Sequence, residues 1–145
     1  MAIKATSERF RRYYLVFYSF TSQTERRKLG GSDFLEMQFC RMPFTMKIEK
    51  IIAVDNIKHW MDDSLYVTGD DANLFLKEYG SIFDCGIYNN LESGVVDPFG
   101  INYYMPQFIE TILARILATK PTDYERLIEW LDTAKKYNGF YILGV

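Results

Sequence analysis

Residues 106–143 read PQFIETILARILATKPTDYERLIEWLDTAKKYNGFYIL, and this segment carries the strongest local structural signals in the chain. Pro106 suits the first position of a helix, where its missing amide hydrogen is no loss. Apolar residues then recur every three or four positions, as expected for one face of a helix. They are Phe108, Ile109, Ile112, Leu113, Ile116 and Leu117. The pattern predicts an amphipathic helix.

A second helix is predicted directly after Pro121. Thr122 and Glu125 have the spacing of a capping box, in which each side chain accepts a hydrogen bond from the other residue's backbone amide. The apolar stripe continues through Leu127, Ile128, Leu131 and Ala134. We therefore expect two consecutive helices that bury their apolar faces together.

Apolar and aromatic runs predict the β-strands. These runs are residues 13–21, 34–42, 47–54, 82–88, 94–104 and 140–143. The first two predict a hairpin around the basic sequence at 26–31, and the fourth and fifth predict a second hairpin with an irregular return strand. Residues 47–54 could also begin a helix, but a strand is favoured. The last run is too apolar for a free tail, so it predicts a buried strand.

Two short helices are predicted from acidic residues at their starts. Asp55 can cap a helix over residues 56–61, and Asp70 or Asp71 can cap one over residues 72–79, because a carboxylate there accepts unpaired amide hydrogens. Gly80 is expected to end the second helix in a left-handed conformation.

These predictions combine into an α+β fold, with a mostly antiparallel sheet of about six strands and a C-terminal helical pair packed on one face. A chain of 145 residues suits one domain. We assign residues 13–145 to that domain and the polar, unpatterned residues 1–12 to a disordered N-terminal extension. Met46 leaves open a second translation start.

Composition excludes several classes of function. The chain has 17 Lys and Arg against 19 Asp and Glu, for a net charge of −2, which argues against a nucleic-acid groove. No apolar run reaches the length that a membrane span needs. Cys40 and Cys85 are the only cysteines and form no CxxC pair, so neither zinc nor a disulfide scaffold is expected, and a reducing cytoplasm is favoured.

No catalytic residue, metal site or cofactor is predicted. His59 is the only histidine, which excludes sites that need two imidazoles. A pair of His59 with Cys40 or Cys85 stays open, although buried structural cysteines are commoner. The neighbouring Asp84 should raise the pKa of the Cys85 thiol and so make it less reactive.

Two further patterns carry no site. An acidic cluster is formed by Asp62, Asp63, Asp70 and Asp71, but it lacks the spacing of an EF-hand loop, and helix capping accounts for part of it. The glycines never occur in a phosphate-binding order.

Residues 137–144, YNGFYILG, and residues 75–84, FLKEYGSIFD, resemble small bacterial immunity proteins that accompany secreted polymorphic toxins. The likeness covers residues 47–145 in general character and transfers no individual functional residue. It implies a cytoplasmic inhibitor that binds a protein partner such as a toxin domain. No nucleic-acid or membrane partner is expected, and the oligomeric state is open.

The second predicted hairpin is the candidate binding surface, because tyrosines among carboxylates are typical of protein-binding surfaces. The residues assigned to it are Asp84, Glu92, Asp97, Phe99, Tyr103 and Tyr104. The alternative is a small enzyme or ligand-binding protein with an aromatic-lined pocket and Cys85, His59 or Asp84 as polar anchor. A concave pocket with converging polar groups would favour this alternative, and a flat charged patch would favour the inhibitor.

Overall fold

The structure is a computed structural model that describes residues 15–29, 33–58 and 60–144. Its strands form one antiparallel sheet in the order β2-β1-β6-β5-β3-β4. They are β1 Phe34–Phe39, β2 Leu65–Thr68, β3 Gly86–Ile87, β4 Ser93–Gly94, β5 Ile101–Tyr104 and β6 Phe140–Gly144. The predicted α+β class with about six antiparallel strands is confirmed.

The helices are α1 Gln23–Lys28, α2 Ile48–Ile51, α3 Ala72–Tyr79, α4 Ile109–Thr119 and α5 Tyr124–Ala134. Short 3-10 turns lie at Val54–Asn56, Gly69–Asp71 and Pro106–Phe108. The predicted C-terminal pair is therefore present as α4 and α5, which pack against each other. Pro106 stands at the start of the turn that leads into α4, as its fixed backbone angle favours.

Strand alternation gives the sheet two different faces. On one face, which we call the helical face, Leu35, Met37 and Phe39 of β1 share a core with α3, α4 and α5. There the Phe39 ring stacks on Trp130 with their centroids 4.2 Å apart. The opposite face, which we call the second face, carries Phe34, Glu36 and Gln38 of the same strand. The paired strands add Tyr66, Ile101, Tyr103, Tyr141 and Leu143 to it.

The predicted buried strand at 140–143 is confirmed as β6, which pairs with β1 on one side and β5 on the other. Gly139 precedes it with φ of +77°, and a Cβ at that position would come within 2.0 Å of the Tyr104 carbonyl oxygen. Only glycine fits this turn without moving the backbone.

The first predicted hairpin is wrong. Within residues 15–21 the only sheet contact is an isolated bridge between Tyr18 and Tyr66, because both edges of β1 are occupied by β2 and β6. The basic residues at 26–28 lie in α1, whose first turn is capped by Ser22 Oγ accepting from the Glu25 amide at 3.1 Å. The other residues of this prediction, 13, 14, 30 and 31, lie outside the described residues, as does the extension at 1–12.

The strand predicted at residues 47–54 is a helical segment instead. Ile48, Ile51 and Ile52 follow helical spacing, and α2 uses them to pack on the second face near Tyr141 and Leu143. The strand that pairs with the outer edge of β1 is β2, which lies between acidic residues and was not predicted.

The prediction of two short helices with acidic caps is partly right. Asp55 lies inside the turn Val54–Asn56, and the described residues contain no helix at 56–61. Helix α3 has the predicted bounds, but Asp71 at its N-cap forms no side-chain cap and accepts instead from Thr68 Oγ1 at 3.1 Å. Gly80 has φ of −55°, so the chain leaves α3 in a right-handed turn rather than a left-handed one.

The capping box at α5 is also wrong. Asp123 occupies the N-cap position with φ of 62°, and the Thr122 hydroxyl bonds to Glu78 of α3. In the second hairpin the return segment splits in two, because β4 and β5 pair with opposite edges of β3.

Candidate functional site

The second face of the sheet carries a cavity of about 590 Å³. Its floor is a row of residues that the strand register sets side by side: Tyr66 on β2, Glu36 on β1, Leu143 on β6 and Ile101 on β5. Directly opposed residues on one sheet face have Cβ atoms about 5 Å apart. The floor is therefore an apolar and aromatic row with a single acidic position. We call this space the sheet cavity.

Four segments build the walls of the sheet cavity, and one of them is the turn after β3, which contributes Asn89. Helix α1 contributes Gln23 and Arg26, the segment after α2 contributes Val54, Ile57 and Lys58, and the loop before β5 contributes Phe99 and Gly100. The volume falls within the range of about 300–1,000 Å³ that small-molecule sites occupy. The sheet cavity therefore combines room for a small molecule with an apolar lining and a few polar groups.

Glu36 is the most constrained polar residue of the sheet cavity, since it is only 2% exposed. Its Oε2 accepts hydrogen bonds from Ser64 Oγ at 2.7 Å, from the Met61 amide at 3.1 Å and from Gln38 Nε2 at 3.1 Å. The Tyr66 hydroxyl lies 3.3 Å from the same oxygen and donates to the Met61 carbonyl at 2.7 Å. Among the described residues, none donates to Oε1.

Burial raises the pKa of Glu36 above its ordinary value, and the donors on Oε2 oppose this rise only in part. Burial also raises the pKa of the Tyr66 hydroxyl, with the Glu36 charge as the next cause. The carboxyl group therefore takes up a proton at a higher pH than an exposed glutamate does. A cation placed at Oε1 would favour the ionised form.

The walls of the sheet cavity carry two cationic side chains. The Arg26 guanidinium lies over the Phe34 ring, with its Cζ 4.7 Å from the ring centroid, a distance at which the two attract. Lys58 is exposed at the other wall. In the described parts of the chain, neither cation forms an ion pair.

Tyr103 and Tyr104, assigned to the binding surface from the sequence, are buried on opposite faces of the sheet. The Tyr103 hydroxyl donates to the Asn138 carbonyl at 2.7 Å, and the Tyr104 hydroxyl donates to the Phe83 carbonyl at 3.3 Å. Because both faces of β5 are covered, neither ring is accessible to a partner from outside.

The other assigned residues are spread over the surface rather than brought together. Asp84 pairs with Arg115 of α4 at 2.6 Å, on the helical side of the sheet. Glu92 is exposed in the turn before β4, where its carboxylate accepts from Asn90 Nδ2 at 3.3 Å. Asp97 Oδ1 accepts from the Phe99 amide at 2.9 Å, and this turn leaves the Phe99 ring 85% exposed beside the sheet cavity.

Cys85 and Asp84, two of the polar anchors considered for a pocket, do not line the sheet cavity. The Cys40 thiol is buried 3.5 Å from the Tyr141 hydroxyl, and His59 lies outside the described residues. The pKa of the Cys85 thiol is raised, first by burial and then by Asp84, which is the direction expected from the sequence. The described residues contain no group of three or more potential metal ligands and no helix long and apolar enough to cross a bilayer.

The sequence did contain a signal for Glu36. In the strand at 34–39, FLEMQF, the polar residues Glu36 and Gln38 stand two positions apart and so share one face of a strand that is otherwise apolar. Polar side chains at buried strand positions need partners, which marks this face as unusual.

Comparison of the chain with protein-family models, curated proteins and solved structures gives no match. The function of the sheet cavity is therefore inferred from its residues alone.

Proposed function

We propose that this protein binds a small organic ligand in the sheet cavity, with Glu36 as the polar anchor of its floor. The observation that carries the proposal is a carboxylate only 2% exposed in the cavity lining, whose described hydrogen bonds all reach Oε2. A mostly apolar cavity with a few placed polar groups is the usual form of a small-molecule site.

Burial of a carboxylate is unfavourable unless its oxygens have partners. The donors from Ser64, Met61 and Gln38 stabilise one oxygen and also hold the loop before β2 in place. A glutamine could hold this loop by accepting the same bonds, so the loop alone does not require a charge. A ligand that donates to Oε1 would offset the remaining cost.

The test is a fragment screen by NMR on the full chain, followed by titration of the fragments that bind. We expect shifts at residues of the cavity floor and weakening by about tenfold in Glu36→Gln, as for loss of a hydrogen bond to a charged group. Glu129→Gln, at an exposed position on α5, is the matched control and should change nothing. A screen without bound fragments, or fragments indifferent to Glu36→Gln, would reject the proposal.

A second candidate function, favoured by a separate observation, is inhibition of a protein partner. Leu91, Val95 and Phe99 are 52%, 58% and 85% exposed, and they alternate with the acidic residues Glu92 and Asp97. Exposed apolar side chains rimmed by charge are typical of interaction sites. On this proposal the protein is a cytoplasmic immunity protein, and its partner is a bacterial toxin domain with a basic surface.

The second candidate is tested by purifying the protein with the product of its neighbouring gene. Val95→Ser should weaken the complex, and Glu92→Lys should slow association most at low salt, because steering by charge is screened by salt. Phe44→Ser is the control, since Phe44 is 68% exposed but lies outside the 91–99 segment. A complex that ignores Val95→Ser, Glu92→Lys and salt would place the interface elsewhere.

A further inference from the structure

The sheet cavity carries opposite charges at different heights, with one acid on the floor and two cations in the walls. Glu36 is buried in β1, the second strand from one edge of the sheet, whereas Arg26 and Lys58 reach the lining from α1 and from the segment after α2. A ligand with only a positive charge would be attracted by Glu36 and repelled by the two cations, and a ligand with only a negative charge would be attracted by the cations and repelled by Glu36.

We infer that the sheet cavity takes a short zwitterion, with a primary ammonium group at one end and a carboxylate at the other. This inference rests on the proposed ligand-binding function and names the chemical class of the ligand. The ammonium end lies on the floor at Glu36, and the carboxylate end lies at Arg26.

The floor suits an ammonium group. Such a group has three donors and no acceptor, and Glu36 Oε1 is an acceptor without a described donor. Tyr66, which lies beside Glu36 on β2, lines the same space. A neutral hydroxyl would gain the hydrogen bond but not the charge attraction.

The wall suits a carboxylate. The guanidinium of Arg26 is held over the Phe34 ring and has no acidic partner among the described residues, so its donors are free to form paired bonds to two oxygens. Lys58 lies at the other wall, where its carbonyl accepts from Gln38 Nε2 at 2.9 Å, so Arg26 is the cation assigned to this carboxylate. Stacking on the ring limits the motion of Arg26, which lowers the entropy lost on binding.

Strand geometry sets the length of the ligand. Phe34 and Glu36 are neighbours on one face of β1, which places them about 7 Å apart along the strand. Arg26 lies above Phe34, so the two charged ends of the ligand are separated by roughly that distance or slightly more. Leu143, beside Glu36 on β6, would contact the aliphatic chain next to the ammonium group.

Calorimetric titration of the full chain tests the inference with four probes of one length: ε-aminocaproate, caproate, hexylamine and hexanol. We expect ε-aminocaproate to bind about tenfold more tightly than either single-ended ion, as for one charge-assisted bond. Glu36→Gln should remove its advantage over caproate, and Arg26→Gln its advantage over hexylamine. Arg27→Gln, the exposed neighbour on α1 outside the lining, should leave all four affinities unchanged.

The outcomes separate the ligand class from ligand binding itself. If caproate, hexylamine or hexanol binds as tightly as ε-aminocaproate, the zwitterion is wrong while the cavity still binds ligands. If Arg27→Gln acts like Arg26→Gln, the effect is general surface charge and the inference fails. If neither these probes nor any screened fragment binds, the proposed function fails as well. If Glu36→Gln does not fold, Arg26→Gln, which lies on the exposed helix α1, still tests whether Arg26 binds the carboxylate of the ligand.

Discussion

Thr122 and Glu78 form a hydrogen-bonded pair that joins the start of α5 to α3 across 44 residues of sequence. The Thr122 amide lies 2.9 Å from Oε1 of Glu78, and Thr122 Oγ1 lies 3.0 Å from both carboxylate oxygens. The neighbouring Tyr79 hydroxyl donates to the Thr122 carbonyl at 2.7 Å. Thr122 therefore holds two helices together instead of capping one.

Thr122→Val should lower the free energy of unfolding by about 1–2 kcal/mol, because the hydroxyl is lost at a buried position while the shape is kept. Urea unfolding measures the change. Thr111→Val, at an exposed position of α4, is the control and should shift the midpoint little. Equal midpoints for the two variants would show that the Glu78 contact contributes no stability.

The sequence pattern Ser/Thr-x-x-Glu occurs at both 22–25 and 122–125, and only the first forms a side-chain cap. The two segments are locally alike, but Glu78 is near Thr122 only after α3 and α5 have packed. Long periodic segments such as α4, α5 and β6 were predictable because their patterns are local. The strand prediction at 47–54 failed although the isoleucines there have local helical spacing, whereas the capping box at 122–125 failed because the distant residue Glu78 supplies the partner of Thr122.

The same reason limits how much of the site was predictable. Strand alternation places Glu36 and Gln38 on one face, but only the pairing of β1 with β2 and β6 sets Tyr66 and Leu143 beside Glu36. The strand β2 was not predicted, so the row that forms the floor could not be assembled from the sequence. Tyr103 and Tyr104 are buried because α2, α3 and α4 cover the two faces of β5. The sequence does not show that these helices pack there, so both tyrosines were assigned to a surface.

Asp123 connects the N-terminal segment to the start of α5, and its removal should loosen that connection. Its Oδ2 accepts from the amides of Val16 at 2.9 Å and Phe17 at 3.0 Å. Asp123→Ala should lower the free energy of unfolding by about 1–3 kcal/mol, because two amides lose their acceptor.

Asp123→Asn is the matched variant, since asparagine keeps an acceptor oxygen and tolerates the left-handed backbone at φ of 62°. We expect a smaller loss than for alanine, together with slower proteolysis near Val16 than in Asp123→Ala. Urea unfolding and limited proteolysis would check the order. Identical losses in the two variants would mean that the charge of Asp123, which both variants remove, and not its acceptor oxygen determines the effect.

Glu36 should make stability depend on pH in a direction opposite to that of a paired surface carboxylate. Its pKa in the folded protein is raised by burial, so between the ordinary value of 4.5 and the raised value the folded state holds more protons than the unfolded state. The slope of unfolding free energy with pH is then negative. The contribution of Glu36 to the free energy of unfolding is therefore fully present below its pKa in the unfolded chain. It decreases between the unfolded and the folded pKa values and no longer changes above the folded value.

Glu36→Gln lacks this titration and keeps an oxygen that can accept from Ser64 and Met61. Its stability relative to the wild type should therefore increase as pH rises, measured by urea unfolding from about pH 4 to about pH 8. Glu129→Gln, which alters an exposed carboxylate, should follow the wild-type profile. Parallel profiles for Glu36→Gln and the wild type would show that Glu36 titrates as it does in the unfolded chain. A cation bound at Oε1 should flatten the wild-type slope, because it stabilises the ionised carboxylate that burial disfavours.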